Sequence, residues 1–248
     1  MIRKAVSPII TSAKAHSKKL LAVLIDPDKL VESALINLVQ EANNAPADLI
    51  FIGGSLITGT SLDSCIAAVK AHSDIPVILF PGSIMQVSPS ADAILFMSLI
   101  SGRNPDLLIG NQVISAPYIK QINLEYLSTG YMLVDCGQST TAIYMSGSAP
   151  LPYNKPEIAA CTAMAGDMLG LSQFYLDGGS GADKIVNPEI IKAVRAAMDK
   201  PIIVGGGIRS AAQAKLLCEA GADVIVIGNV TEENPAIINE IATAIHQF

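Results

Sequence analysis

Three glycine-rich segments in the C-terminal half of the chain carry its most distinctive chemistry. Residues 177–181, residues 205–207 and Gly228-Asn229 each follow a short apolar run. Glycine lets the backbone approach a ligand closely and point N–H groups at an anion. The second segment leads into a helix that we predict is capped by Ser210, and a helix N-terminus favours negative charge. These segments predict a phosphate site, although glycines that serve only tight turns would give the same pattern.

Asp26 and Ser55 are candidate ligands for a magnesium ion. Asp26 begins the motif Asp26-Pro27-Asp28-Lys29, and Ser55 ends Gly53-Gly54-Ser55. Mg²⁺ prefers one or two carboxylates and takes its remaining ligands from water and phosphate oxygens. If the two motifs follow neighbouring strands, both side chains can face one ion. The alternative is that Asp26 only caps the next helix, with Pro27 in its first turn.

Tyr175 and Asp177 are candidate catalytic residues. They flank Leu176, and strand alternation places their two side chains on the same side, which we expect to be the inside of a barrel mouth. A buried carboxylate beside a phosphate site is suited to act as a general base. A structural tyrosine and a loop-capping aspartate remain the alternative.

Eight short apolar runs predict the scaffold that brings these residues together. Each run is continuously apolar rather than alternating, as expected for parallel strands buried on both faces. Helical stretches separate the runs, so we predict an α/β fold, a (β/α)8 TIM barrel with its catalytic groups at the C-terminal ends of the strands. The runs are residues 21–25, 49–52, 77–80, 94–97, 131–134, 174–176, 202–204 and 224–227.

Local sequence signals argue against an open sheet and indicate where the barrel departs from a regular pattern. A doubly wound open sheet would usually place a glycine-rich fingerprint where Asp26 and Pro27 stand. Residues 83–89 are too short and too broken for a full helix, so we expect the third helix to be missing or degenerate. Residues 137–156 form either a lid or a plain surface excursion. Cap signals at Ser210 and Gly221 bound one helix, and Asn234-Pro235 precedes a last helix over residues 236–246.

Length and composition fit one phosphate-binding barrel domain over residues 1–248. Of the 248 residues, 50% are hydrophobic and 15% are charged, which suits a large core. No apolar run approaches the roughly 18 residues that span a bilayer. The apolar stretch after the basic N-terminus is short and meets Asp26, unlike a secretory signal. Four scattered cysteines fit a reducing compartment, so we expect a cytoplasmic protein.

Charge and histidine content argue against several function classes. The formal net charge is −6, and no basic stripe interleaves with aromatic residues, so we expect no nucleic-acid partner. Backbone N–H groups must therefore hold much of any anionic ligand. His16, His72 and His246 lie in predicted helices or tails, which argues against histidine acid–base chemistry and a catalytic zinc site.

The ordered set of motifs resembles the geranylgeranylglyceryl phosphate synthase family, which includes the heptaprenylglyceryl phosphate synthases. The resemblance spans nearly the whole chain. The matching segments are residues 25–29, Gly53-Gly54-Ser55, Phe80-Pro81-Gly82-Ser83, Arg103-Asn104-Pro105, residues 155–160, residues 175–182, residues 205–209 and Gly228-Asn229. The family usually has Glu where this chain has Asp177, so the carboxylate reaches one methylene less far. The family also has a degenerate third unit.

The resemblance implies a prenyltransferase of ether phospholipid biosynthesis. The family joins the C3 hydroxyl of sn-glycerol 1-phosphate to a polyprenyl diphosphate, such as geranylgeranyl diphosphate, and releases diphosphate. By resemblance, Asp26 and Ser55 hold Mg²⁺ on the diphosphate, and Asp177 takes the hydroxyl proton. The implied glycerol phosphate contacts are Tyr175, Leu176, Asp177, Gly178, Gly179, Ser180, Gly181, Gly206, Gly207, Gly228 and Asn229. Side chains for an apolar groove include Phe96, Leu99, Ile100, Leu107 and Leu108.

Two other functions remain open at this point. An isomerase or lyase of a small phosphorylated metabolite would share the glycine segments but would not need Asp26, Ser55 or magnesium. A non-catalytic phosphate- or lipid-binding barrel would tolerate the loss of Asp26 and Asp177. We further expect a homo-oligomer, since the family assembles and exposed apolar helices would allow it. Contact with a membrane, if any, would be transient rather than transmembrane.

Overall fold

Parallel strands form a closed barrel of eight in the computed structural model, which describes residues 3–59 and 62–248. The strands lie in chain order, and β8 pairs with β1. The predicted (β/α)8 barrel is therefore confirmed, and the open-sheet alternative is wrong. The strands are β1 (Leu20–Ile25), β2 (Leu49–Ile52), β3 (Val77–Leu79), β4 (Ala93–Leu99), β5 (Glu125–Leu133), β6 (Gln173–Asp177), β7 (Ile202–Gly205) and β8 (Val224–Ile227).

The first helix adds Ile10 and Ala13 to the core inside the barrel, and helices surround the barrel. They are α1 (Ser7–Ala15), α2 (Glu32–Asn44), α3 (Leu62–His72), α4 (Asn111–Gln121), α5 (Thr141–Ser146), α6 (Pro156–Met168), α7 (Pro188–Ala197), α8 (Ala211–Ala220), α9 (Asn229–Glu233) and α10 (Ile237–Ile245). A π-helical turn, Asp106–Gly110, precedes α4. Strand side chains alternate between two cores: Phe51 and Tyr175 pack inside the barrel, whereas Ile50 and Leu176 pack outward against the helices.

β5 begins six residues before the predicted run, at Glu125 rather than Tyr131. Its first half pairs with β4 from Ala93 onward but contains polar residues, so it lacks a continuous apolar pattern. The Glu125 carboxylate is bound at the start of the strand, where it accepts hydrogen bonds from the backbone N–H groups of Val6 (2.7 Å) and Ser7 (2.8 Å).

The alternative that Asp26 caps a helix is wrong, and Asn234 does not cap the last helix although it has the composition of a cap. α2 begins at Glu32 after a turn, and Val31 occupies its N-cap position, so Asp26 is not a cap. α10 begins at Ile237 with Ala236 at its N-cap, because the separate short helix α9 ends just before Asn234. The caps of α8 are as predicted: Ser210 accepts a hydrogen bond from Gln213 N, and Gly221 adopts a left-handed conformation.

The third unit contains no helix between β3 and β4, as predicted. A glutamine holds this connection against the mouth of the barrel instead. Gln86 accepts a hydrogen bond from Gly82 N (3.0 Å) and donates one to Gly54 O (2.9 Å). The other unusual segment, residues 137–156, contains α5 and a strand-like bridge between Leu151 and Val134. Thr141 and Met145 of α5 line the cavity described below, so this segment partly covers the mouth.

Three aspartates at the opposite end of the barrel, here called the aspartate clamps, tie neighbouring strands together. Each immediately precedes an even-numbered strand and accepts a hydrogen bond from a backbone N–H of the strand before it. The pairs are Asp48 with Leu21 (2.8 Å), Asp92 with Val77 (2.8 Å) and Asp223 with Ile202 (2.9 Å). Each carboxylate also contacts a basic side chain, His246, Lys70 or Arg195 in the same order. This end of a barrel ordinarily serves stability.

The clamp at Asp48 predicts a pH-dependent stability. Its hydrogen bond with His246 raises the pKa of the imidazole. A pKa raised on folding adds stability that is full below the unfolded value of about 6.5 and is lost as pH rises through the folded value. We expect His246→Gln to lower the free energy of unfolding more at about pH 5.5 than at about pH 8.5. Urea unfolding at both pH values tests this.

The matched control is His72→Gln, because the His72 ring bonds a carbonyl of its own helix, Ala68 O. If His246→Gln lowers the free energy of unfolding equally at both pH values, the titration of His246 does not contribute to stability.

Candidate active site at the mouth of the barrel

A cavity of about 570 Å³ opens at the C-terminal ends of the strands. Most of the residues predicted from the sequence line it, although they come from the ends of five different strands. These are Asp26, Ser55, Tyr175, Asp177, Gly179, Ser180, Gly181, Gly206, Gly207, Gly228 and Asn229. The volume is typical of a site for a small-molecule ligand or cofactor.

Leu176 and Gly178 do not line this cavity. The Leu176 side chain is fully buried in the outer core, between barrel and helices. The N–H of Gly178 donates to Gly205 O (3.0 Å), and a Cβ at Gly178 would lie 3.0 Å from Cys136 Sγ. Both residues therefore pack behind the cavity wall, and their contact with a glycerol phosphate stays a prediction.

The loops after β6 and β7 approach each other so closely that Gly206 has no room for a side chain. Its φ is +87°, and a Cβ there would lie 2.6 Å from Gly179 N. Within the described residues, the N–H groups of Gly206 and Gly207 bond no protein acceptor. Adjacent N–H groups without acceptors, at the edge of a cavity, suit an anion such as a phosphate.

Asp177 is held by two donors at the polar end of the cavity. Its Oδ1 accepts a hydrogen bond from Gly179 N (2.7 Å), and its Oδ2 accepts one from the Tyr131 hydroxyl (2.5 Å). Burial raises the pKa of Asp177, and these two hydrogen bonds oppose the rise. A carboxylate with a raised pKa is a better proton acceptor than an ordinary one. Tyr131 was predicted only as a strand residue.

Tyr175 belongs to an aromatic cluster with Phe80 and Tyr131. Its ring stacks on Phe80 at 5.0 Å and meets Tyr131 edge-on at 5.6 Å. Burial and the nearby Asp177 raise the pKa of Tyr175 well above its ordinary value. The hydroxyl therefore stays protonated, which suits Tyr175 to shape the site rather than to remove a proton.

Asp26 and Ser55 lie on the opposite side of the mouth from Asp177. The Asp26 carboxylate is partly exposed and passes close to Gly54, where a Cβ would lie 3.3 Å from Oδ1. No cluster of three or more His, Cys, Asp or Glu side chains suited to a metal occurs among residues 3–59 and 62–248. One carboxylate and one hydroxyl that line the same cavity fit Mg²⁺, because this ion keeps several water and phosphate ligands.

Lys29 is a site residue that was not predicted from the sequence. Its Nζ lies 3.1 Å from Asn229 Oδ1, 3.5 Å from Glu232 Oε1 and 3.8 Å from Asp26 Oδ2. Glu232 also lines the cavity. The two carboxylates flank the ammonium group, which gives the mouth a fixed positive charge among acidic neighbours.

The cavity continues into an apolar half beside β4, the π-helical turn and α4. Of the predicted groove residues, Phe96, Leu99 and Leu107 line it, whereas Ile100 and Leu108 do not. The sequence did not single out the other apolar lining residues, which include Ile84, Val87, Ile94, Met97 and Ile119. The site thus combines a polar half suited to a phosphate with an apolar half suited to a hydrocarbon.

Comparison with known proteins identifies the family. Residues 14–245 match the PcrB family. The chain belongs to the PcrB family. A geranylgeranylglyceryl phosphate synthase of Spirosoma linguale is 50% identical over 240 residues, 97% of this chain and 96% of that protein. One of Pyrococcus furiosus is 42% identical over 225 residues, 90% of this chain and 89% of that protein.

Solved structures agree with this membership. (S)-3-O-geranylgeranylglyceryl phosphate synthase from Thermoplasma acidophilum, solved in complex with its substrate sn-glycerol-1-phosphate, superimposes with a TM-score of 0.92 at 31% identity, covering 99% of this chain and 100% of that one. Tryptophan synthase from Mycobacterium tuberculosis matches at a TM-score of 0.63 and 15% identity, which shows a shared fold alone. Within the described residues, none of the helices has the length and hydropathy to cross a membrane.

The close approach of Gly206 to Gly179 predicts a large cost for a methyl group. Gly206→Ala should destabilise the protein by more than the about 1–2 kcal/mol of a left-handed alanine, because Cβ overlaps the neighbouring loop. It should also weaken binding of inorganic phosphate. Urea unfolding and titration calorimetry measure the two effects.

Gly170→Ala is the matched control, since Gly170 has φ +88° and a Cβ there would meet no atom within 4 Å. Equal losses of stability in the two variants would mean that the two loops do not constrain each other.

Proposed function

We propose that this chain is a geranylgeranylglyceryl phosphate synthase, which transfers a polyprenyl group from its diphosphate to the C3 hydroxyl of sn-glycerol 1-phosphate. The observation that carries the proposal is one cavity with a polar half and an apolar half, in a chain of the PcrB family. An isomerase or lyase of a small phosphorylated metabolite has no use for the apolar half.

The polar half is suited to the glycerol phosphate. The N–H groups of Gly206 and Gly207, which bond no acceptor among the described residues, and the amide N–H group of Asn229 offer donors for a phosphate. Ser180 donates its hydroxyl to Asn229 Oδ1 and so supports that amide. Holding the phosphate there fixes the far hydroxyl of a three-carbon acceptor near Asp177. Such positioning replaces a bimolecular encounter with an oriented one, which contributes a large share of the rate.

Asp177 is the proposed general base. Tyr131 and Gly179 hold its two oxygens, so its orientation is set before the acceptor arrives. As the allylic carbon–oxygen bond of the diphosphate breaks, the acceptor oxygen forms a new bond to that carbon and Asp177 takes its proton. The products are the ether and diphosphate. The phenolic rings of Tyr131 and Tyr175 lie beside this point and exclude water from it.

Asp26 and Ser55 are the proposed ligands of Mg²⁺. When bound, the ion supplies positive charge that stabilises the departing diphosphate. Lys29, between Asp26 and Glu232, adds a fixed cation on the same side of the mouth. The apolar half would then receive the hydrocarbon tail, with Phe96, Leu99 and Leu107 along its wall.

We also propose a cytoplasmic homo-oligomer. The four cysteines are free, and three of them are buried, which fits a reducing compartment. Exposed apolar side chains on α4 and α6, such as Ile114 and Met168, offer surface for self-association. Any contact with a membrane would be transient, during delivery of the prenyl substrate or release of the product.

An activity assay tests the function directly. Purified protein with geranylgeranyl diphosphate and sn-glycerol 1-phosphate should release diphosphate only when Mg²⁺ is present, and a chelator should stop the reaction. The 3-phosphate isomer should be a much poorer acceptor, because the phosphate site fixes which hydroxyl faces Asp177. Equal use of the two isomers would count against the assignment.

Asp26→Ala should reduce turnover by about 10²-fold or more while leaving the fold intact, because it removes the proposed metal carboxylate. Asp74→Ala is the control, since the Asp74 carboxylate is fully exposed. Circular dichroism of both variants confirms folding. A fully active Asp26→Ala protein would remove Asp26 from the metal site.

Tyr131→Phe should move the acid limb of the kcat/KM profile to higher pH. The hydrogen bond from the Tyr131 hydroxyl lowers the pKa of Asp177, whereas burial raises it. Loss of this hydrogen bond should therefore raise the pKa, so that Asp177 becomes protonated at a higher pH. The limb of kcat/KM reports the free enzyme. Tyr126→Phe, at a position on the same strand that is 63% exposed, should leave the profile unchanged. If the acid limb of Tyr131→Phe stays where it is in the wild type, the group that titrates in this profile is not Asp177.

A further inference from the structure

Lys29 and Asn229 meet across the closure of the barrel, although 200 positions separate them. Asn229 Oδ1 accepts two hydrogen bonds, one from Lys29 Nζ (3.1 Å) and one from Ser180 Oγ (2.9 Å). An asparagine amide has one acceptor end and one donor end. Two donors at Oδ1 therefore fix which way the amide faces.

The donor end of Asn229 faces the phosphate loop. Its Nδ2 lies 3.8 Å from the position of a Cβ on Gly181, and within the described residues it bonds no protein acceptor. Without Lys29, the amide could turn over and present its carbonyl oxygen to the same place. A carbonyl oxygen there would repel a phosphate, whereas the amide N–H group would bind it.

Lys29 is itself placed by acidic partners rather than by solvent. Glu232 lies 3.5 Å and Asp26 lies 3.8 Å from its ammonium group. Burial raises the pKa of Glu232, and Lys29 opposes that rise. Lys29 Nζ thus has three oxygen partners, on Asn229, Glu232 and Asp26. An ordinary surface lysine has a single partner.

We propose that Lys29 is a positioning residue for the acceptor substrate. It orients the Asn229 amide toward the phosphate of sn-glycerol 1-phosphate and joins that amide to the carboxylate of Asp26. The inference rests on the proposed function and adds a link between its two substrate sites. Lys29 acts through Asn229, so its contribution should vanish once that amide is gone.

Binding of sn-glycerol 1-phosphate by calorimetry, without Mg²⁺ or prenyl diphosphate, tests the proposal. Lys29→Met should raise the Kd about tenfold, the scale of one lost hydrogen bond to a charged ligand. The KM for the acceptor should rise more than kcat falls. Lys192→Met is the matched control, because Lys192 pairs with Glu189 on the exposed face of α7 and should bind as wild type does. A Kd for Lys29→Met within twofold of wild type would overturn the role.

A double-mutant cycle separates positioning from direct attraction. In an Asn229→Ala background, Lys29→Met should change the Kd by less than about twofold, because the oriented amide is already absent. A full tenfold effect in that background would mean that the lysine charge acts on the ligand by itself, and would overturn the proposal.

Two further measurements keep the test decisive. If Lys29→Met loses its folded circular dichroism signal, Lys29→Ala, which places no long apolar side chain at the mouth, replaces it under the same criteria. If wild-type protein neither binds sn-glycerol 1-phosphate nor releases diphosphate, the proposed function itself fails. Wild-type binding with an unchanged Lys29 variant overturns only the lysine inference.

Discussion

The parallel pairing of β8 with β1 is the constraint on which the site depends. In an all-parallel closed sheet, the carboxyl ends of all strands share one rim, so residues far apart in sequence become neighbours. The register that pairs Val23 with Ile227 places Lys29 beside Asn229 just beyond the two strand ends. Without that closure, the carboxylate of Asp26 and the loops after β6 and β7 would belong to opposite edges of a sheet.

Two features at the C-terminal ends of the strands lower the stability of the folded protein. Asp177 is a carboxylate that is 6% exposed, and taking such a group out of water is unfavourable unless hydrogen bonds replace the lost hydration. Tyr131 and Gly179 supply those bonds. Among residues 3–59 and 62–248, the N–H groups of Gly206 and Gly207 have no acceptor, which is also unfavourable until an anion binds. Both features are expected where binding takes precedence over stability.

Patterns that depend on neighbouring residues were readable in the sequence. Continuous apolar runs predicted the barrel, and the glycine segments predicted part of the polar half of the cavity lining. Contacts between distant segments were not readable: nothing near Lys29 in sequence indicates Asn229, and nothing near Tyr131 indicates Asp177. Local signals also misled, since Asp26-Pro27 has the composition of a helix start while the chain forms a turn there. Strand alternation predicted that Leu176 faces away from Tyr175 and Asp177, as it does, whereas the packing of Gly178 against Cys136 could not be predicted from the sequence.

The aspartate clamps lie at the N-terminal ends of the strands, so the length of the barrel separates them from the cavity. Each needs only a carboxylate at the start of an even-numbered strand and a basic side chain from a helix or the C-terminal end. Because they share no residue with the mouth, changes that lengthen or shorten the apolar half leave them untouched. The architecture thereby places the contacts that stabilise the barrel at one end and the residues that line the cavity at the other.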